Sequence, residues 1–115
     1  LNNLAVLQSD QNDYGKAEKA YLEALEIYQR LAKGNPNTYL PDLAMTQINM
    51  SIFYQESKVD KERSIQLADA AITNLLPFRH IPYIQTYLQN AVAVLQKWDI
   101  DVETYMEQKL KNYED

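Results

Sequence analysis

The chain of 115 residues is 46% hydrophobic and carries a net charge of −5 at pH 7, so it is neither a disordered tail nor a typical nucleic-acid binder, which needs a basic patch. It has no cysteine, two glycines and four prolines, which excludes disulfides and thiolate metal sites and favours helix over sheet. No apolar run approaches the roughly 18 residues that a membrane-spanning helix needs, so we expect no membrane partner and leave the location open, with the cytoplasm favoured.

The first third of the chain predicts two helices. The first covers residues 2–7, which read as the middle of a helix, so we expect the sequence to be a fragment of a longer protein. A cap at Asn12 or Asp13 begins the second helix, which ends at Gly34, a typical stop residue. Three tyrosines spaced seven apart are expected to pack between neighbouring helices: Tyr14, Tyr21 and Tyr28.

The third predicted helix begins at a cap of Asn37 or Thr38 and runs to about Ser57. It contains Pro41, which we place in the first turn because no intrahelical amide bond is lost there. This helix is the first of the second predicted repeat.

Caps and prolines delimit three further helices. Asp60 caps the fourth and Pro77 closes it, Pro82 lies in the first turn of the fifth, which ends near Trp98, and Asp99 or Asp101 opens the sixth. Along the sixth helix a narrow apolar stripe crosses an otherwise charged surface: Val102, Tyr105, Met106 and Leu110. Such a helix is typical of the end of a repeat array, where one face meets water.

Three similar segments begin at Asn3, Asn49 and Asn90, and are thus 46 and 41 residues apart. A period of this size is typical of helical solenoids, in which each hairpin buries its apolar face against the next. We therefore predict an all-α fold of about six helices, arranged as stacked antiparallel hairpins in a single domain. The predicted repeats cover about residues 1–36 and 37–77, followed by a partial repeat and a terminal helix over 78–115.

These residues resemble the tetratricopeptide family. The segment from Asn3 looks like the start of helix A, residues 12–17 look like the hairpin turn, and Tyr21 and Ala24 match the aromatic and small positions of helix B. The second repeat keeps small residues where two helices touch: Ser51, Ser64, Ala68 and Ala71. The repeat is longer than the roughly 34 residues usual in this family and is similar to kinesin-light-chain-like and related bacterial arrays. The resemblance implies a right-handed α-solenoid.

The resemblance also implies that ligands lie on the concave face, which helix A of each repeat lines. The predicted peptide-binding residues on this face are Asn2, Asn3 and Val6, then Met45, Asn49 and Ile52, then Thr86, Asn90 and Ala93. An asparagine recurs at one position of each repeat, and its amide can donate to and accept from a peptide backbone. The alternative is that these asparagines bond to a neighbouring helix or face water.

The predicted function is a protein-protein interaction scaffold that binds a peptide or protein segment in the concave groove. The alternative is a sensor or regulatory segment of a larger signalling protein whose effector domain lies outside this sequence, and self-association through exposed repeat ends is a further hypothesis. We expect no enzyme, no cofactor and no metal, because the sequence has no phosphate-binding loop or nucleophile motif and its one histidine, His80, has no ligand cluster around it. The groove positions lack Lys and Arg, which argues against a clamp for a C-terminal carboxylate.

Overall fold

A computed structural model describes residues 14–114, which form five α-helices and no strand. The helices are α1 (Tyr14–Gly34), α2 (Pro36–Glu56), α3 (Lys61–Leu75), α4 (Pro82–Lys97) and α5 (Val102–Glu114), and a short 3-10 turn, Leu76–Phe78, follows α3. Each helix packs against the next along the chain, and α2 also packs against α4. The predicted all-α fold is confirmed over this range, whereas the first predicted helix lies outside the described residues.

Hydrogen bonds confirm the predicted starts of two helices. Asp60 caps α3, because its Oδ1 accepts a bond from the Arg63 amide at 3.1 Å. Asp101 caps α5, because it accepts bonds from both the amide and the hydroxyl of Thr104, at 3.3 and 2.9 Å. Each cap satisfies an amide that the first turn of a helix would otherwise leave unpaired.

The predicted start of α2 was wrong. Asn35, and not Asn37 or Thr38, caps this helix, because its Oδ1 accepts a bond from the Thr38 amide at 3.3 Å. Pro36 occupies the first helical position, so Pro41 lies inside the helix rather than in its first turn. The carbonyl of Asn37 consequently loses its helical donor, and this residue is exposed, so water can hydrate the carbonyl.

The contact between α2 and α3 is close because small residues line it. The four small residues that the sequence places at this contact are all fully buried: Ser51, Ser64, Ala68 and Ala71. The Ser51 hydroxyl donates to the Ser64 carbonyl at 2.6 Å, and the Ser64 hydroxyl donates to the Ser51 carbonyl at 2.8 Å. Trp98, at the end of α4, donates its indole N–H to the Ser64 hydroxyl oxygen at 2.9 Å. The two serines thus join three helices without leaving a buried hydroxyl unpaired.

Apolar side chains fill the space on both sides of this contact. One cluster joins α2, α3 and α4, and it includes Ile48, Ile72 and Leu95. The predicted stripe of α5 packs against that cluster, as expected for a terminal helix. A second cluster joins α1 to α2, where the Phe53 ring lies between Tyr14 and Tyr21 with ring centroids 6.1 and 5.5 Å apart. These two tyrosines therefore pack between helices, as predicted.

A polar contact holds α5 against α3. The Asp69 carboxylate accepts bonds from the Tyr105 hydroxyl and, at 2.7 Å, from the Lys109 ammonium. Burial alone would raise the pKa of the Asp69 carboxyl, but the bonds from Lys109 and Tyr105 outweigh it and hold that pKa below its usual range. Burial is also the main cause that raises the pKa of the Tyr105 hydroxyl, which therefore stays protonated as a donor.

We predict that Ala68→Leu destabilises the fold by about 1–3 kcal/mol, because the added atoms have no space at the fully buried contact of α2 and α3. Ala93→Leu is the matched control, since Ala93 lies exposed on α4, and it should leave stability within about 0.5 kcal/mol of the original chain. Urea unfolding followed by circular dichroism measures both values. Equal stabilities for the two variants would contradict the close contact.

We predict that Asp69→Asn lowers the free energy of unfolding at pH 7 by roughly 0.5–1 kcal/mol, because the ion pair with Lys109 is lost. The loss is small because the carboxylate is partly exposed and solvent screens it. Since the folded pKa of Asp69 is depressed, its contribution is present at neutral pH and is lost as the pH falls below about 4. The difference in unfolding temperature between the original chain and the variant should therefore shrink from pH 7 to pH 3. Glu23→Gln, an exposed change on α1, should show no such convergence, and a constant difference for Asp69→Asn would refute the assignment.

Candidate peptide-binding groove

Helices α2 and α4 lie side by side and run in the same direction. The Gln55 side-chain amide donates to the Val94 carbonyl at 2.9 Å, and Glu56 forms an ion pair with Lys97 at 3.2 Å. One turn earlier, Ile52 of α2 shares a cleft with residues of α4. Residue numbers rise together along both helices, so the helices are parallel. Glu56 and Lys97 are 41 residues apart, which is the spacing of the sequence repeat.

The cleft between α2 and α4 has a volume of about 160 Å³. Its lining residues are Ile52, Gln55, Glu56, Asn90, Ala93, Val94 and Lys97. The structure thus brings three of the predicted groove residues together: Ile52, Asn90 and Ala93. The bond from Gln55 and the ion pair of Lys97 hold the two helices together at one end of the cleft. We call the surface that contains this cleft, and that extends along α2 and α4 toward their amino ends, the α2–α4 groove.

The remaining predicted residues lie on the same helices or outside the described range. Met45 and Asn49 are half-buried on α2, and Thr86 is exposed on α4; on each helix they precede the residues that line the cleft. The other three predicted residues, Asn2, Asn3 and Val6, lie outside the described residues. The cleft itself therefore contains one third of the predicted set.

The side-chain amides of Asn49 and Asn90 have no hydrogen-bond partner among residues 14–114. Asn49 is half-buried and Asn90 is exposed, and within residues 14–114 neither side chain forms a hydrogen bond. By contrast, Gln47 on the buried face of α2 accepts a bond from Asn74 of α3 at 2.9 Å. Within the described residues Asn49 and Asn90 thus form no bond to a neighbouring helix, and the exposed Asn90 fits the other alternative, in which the asparagine faces water.

The sequence interpretation missed the polar residues at the carboxyl end of the groove. Gln55, Glu56 and Lys97 give no signal within their own segments, but the opposite charges of Glu56 and Lys97 at the repeat spacing could have indicated their pairing.

The sequence interpretation also missed two tyrosines of α4. Tyr83 is 54% exposed, and its ring lies edge to face with that of Tyr87, with centroids 5.6 Å apart. Their positions, seven and three residues before Asn90, place them along the same flank of α4.

A second cleft, of about 340 Å³, lies on the opposite face of α2. Residues of α1, α2 and α3 line it: Leu22, Leu25, Met50, Tyr54, Arg63, Gln66 and Leu67. It is larger and more apolar than the α2–α4 cleft, and the sequence interpretation did not predict it. Met50 and Tyr54 are each two residues away from Ile52, which lines the α2–α4 cleft. They point away from that groove because positions two residues apart lie on nearly opposite faces of a helix.

The charged groups beside this second cleft already satisfy one another. The Glu18 carboxylate accepts bonds from Lys58 at 2.7 Å, from the Tyr54 hydroxyl at 2.5 Å and from Arg63 at 3.4 Å. The bond from Lys58, followed by that from Tyr54, lowers the pKa of the Glu18 carboxyl, and burial raises the pKa of the Tyr54 hydroxyl. This cluster fastens α1 to α2 and α3, and its donors and acceptors face each other rather than a ligand.

In the part of the chain that the structure describes, no group of three His, Cys, Asp or Glu residues could hold a metal ion. No helix of that part is long and apolar enough to cross a membrane.

Comparison of the chain with protein-family models, with curated proteins and with solved structures found no match. The resemblance to the tetratricopeptide family therefore rests on the sequence motifs alone.

Proposed function

We propose that this chain is a protein-protein interaction module that binds a peptide or protein segment in the α2–α4 groove. The observation that carries the proposal is the pair of asparagines, Asn49 and Asn90, which occupy the same repeat position on two parallel helices and have no hydrogen bond within the described residues. An amide offers both a donor and an acceptor, which is what an extended backbone requires.

The arrangement of the hairpins supports a solenoid of tetratricopeptide type as the scaffold for this groove. The α2–α3 hairpin contacts the next hairpin at two points, since α2 meets α4 through Gln55 and Val94 while α3 meets α5 through Asp69 and Lys109. These pairs are 39 and 40 residues apart, close to the sequence period. This spacing supports an arrangement in which equivalent helices of successive hairpins lie side by side, as in a stacked array.

The charges of the groove support a neutral or basic segment rather than a free carboxylate terminus. Among the described residues that line the cleft, Lys97 is the cation, and Glu56 neutralises it at 3.2 Å. A carboxylate would have to displace Glu56 to gain that charge, so the proposed module differs from a carboxylate clamp.

To test the proposal, random peptides of about 12 residues are displayed on phage and selected against the folded chain. The affinity of each selected peptide is then measured by fluorescence anisotropy. Ala93→Leu should weaken binding about tenfold or more, because the larger side chain fills the cleft beside Ile52 and Asn90. Asn90→Ala should weaken it roughly fivefold, as expected for one lost hydrogen bond.

Gln96→Leu is the control, because Gln96 is exposed on α4 and does not line the cleft. It should bind every selected peptide as the original chain does. If no peptide is enriched, or if Ala93→Leu and Asn90→Ala bind as tightly as the control, the proposed function is wrong.

A further inference from the structure

The amino end of the α2–α4 groove carries an aromatic surface. Tyr83 is more than half exposed, and the half-buried ring of Tyr87 supports it from the next turn in a perpendicular arrangement. Tyr87 packs against the main apolar cluster, so the pair is fixed to the body of the protein. Exposed, fixed tyrosines offer a flat apolar face together with a hydroxyl, which is the kind of surface that pyrrolidine rings contact in aromatic-lined grooves.

An acidic residue occupies the matching position on α2. Asp42 lies 41 residues before Tyr83, on the flank of α2 that carries Met45, Asn49 and Ile52. It is exposed, and within residues 14–114 it forms no ion pair. At the other end of the groove Glu56 and Lys97 neutralise each other. Among the described residues of α2 and α4, Asp42 is therefore an uncompensated negative charge, and the repeat spacing places it at the level of Tyr83, where a cationic side chain of the ligand would complement it.

The free amides favour an extended ligand over a helical one. A helix satisfies its backbone groups internally, so Asn49 and Asn90 would find no backbone partner on it. A polyproline II segment has no internal hydrogen bonds and leaves its carbonyls open. Its turn of about 9.3 Å is also close to the roughly 10.5 Å that separate Tyr83 from Asn90 along α4. One turn of such a ligand would reach from the tyrosine surface to the asparagine pair.

We propose that the α2–α4 groove binds a proline-rich segment in the polyproline II conformation, with a lysine or arginine of that segment paired to Asp42. This inference rests on the proposed function and names its ligand class. Prolines contact the surface of Tyr83 and Tyr87, the amides of Asn49 and Asn90 bond to the open carbonyls, and the cation sets the direction of the segment along the groove.

Three fluorescently labelled peptides of about ten residues test this inference by anisotropy with the full chain. The first is proline-rich with one arginine near one end, the second replaces its prolines with alanine, and the third replaces its arginine with glutamate. The first peptide should bind at least about tenfold more tightly than either of the others. Its advantage over the third should decrease as salt is raised from about 50 to 500 mM, because salt screens the pairing with Asp42.

Substitutions in the groove test which residues contact the proline-rich peptide. Tyr83→Ala should weaken the first peptide about tenfold, whereas Tyr113→Ala, a control at another exposed tyrosine, should not. Asp42→Asn should reduce the preference for arginine over glutamate at least threefold, whereas Glu23→Gln should not. Equal binding of the first and second peptides, or unchanged binding by Tyr83→Ala, would overturn the inference.

The outcomes also separate this inference from the proposed function. If the alanine peptide binds as tightly as the proline peptide and Ala93→Leu abolishes both, the groove binds peptides but not this class. If the peptides selected from the random library are insensitive to Ala93→Leu, the proposed function fails as well. If the proline-rich peptide does not bind, the inference is wrong but the proposed function is not.

Discussion

The exchange of hydrogen bonds between Ser51 and Ser64 is the contact on which the rest of this structure depends. Each hydroxyl donates to the carbonyl of the other residue, so the two helices approach closely while every buried hydroxyl keeps a partner. A larger side chain at either position would force α2 and α3 apart. The indole of Trp98 adds a third bond to the same site. It thereby ties the carboxyl end of α4 to the α2–α3 hairpin.

Because α2 packs on three other helices, its two remaining surfaces each border a cleft. The clefts differ in how their polar groups are used. Beside the larger one, Glu18 already bonds to Tyr54, Lys58 and Arg63, so this cluster stabilises the packing of α1 against α2 and α3. In the smaller one Asn90 has no hydrogen bond within the described residues, and Asn49 precedes it on the neighbouring helix. Volume alone would favour the larger cleft, whereas unpaired donors and acceptors favour the smaller one as a site of recognition.

The sequence predicts those features that depend on neighbouring residues. Asp60 was predicted as a cap, and Asp101 as one of two candidates, because a cap lies within one turn of the amide that it pairs with. The small residues from Ser51 to Ala71 were predicted from the resemblance to the tetratricopeptide family. The start of α2 was mispredicted because three candidate caps stand close together, and only the bond from the Thr38 amide to Asn35 distinguishes them. The bond from Gln55 to the Val94 carbonyl could not be predicted, since it depends on how far two helices slide past one another. The exposed ring of Tyr83 was missed for a related reason, because register alone does not indicate which tyrosines of α4 remain uncovered.

We propose that recognition occurs between α2 and α4. The most direct measurement is an amide chemical-shift map of the isotopically labelled chain, recorded while a peptide that it binds is titrated in. The claim predicts that the largest shifts, side-chain amides included, occur at Asn49, Ile52, Asn90 and Ala93. Shifts concentrated instead at Leu22, Gln66 and Leu67 would place recognition in the cleft on the opposite face of α2 and contradict the claim.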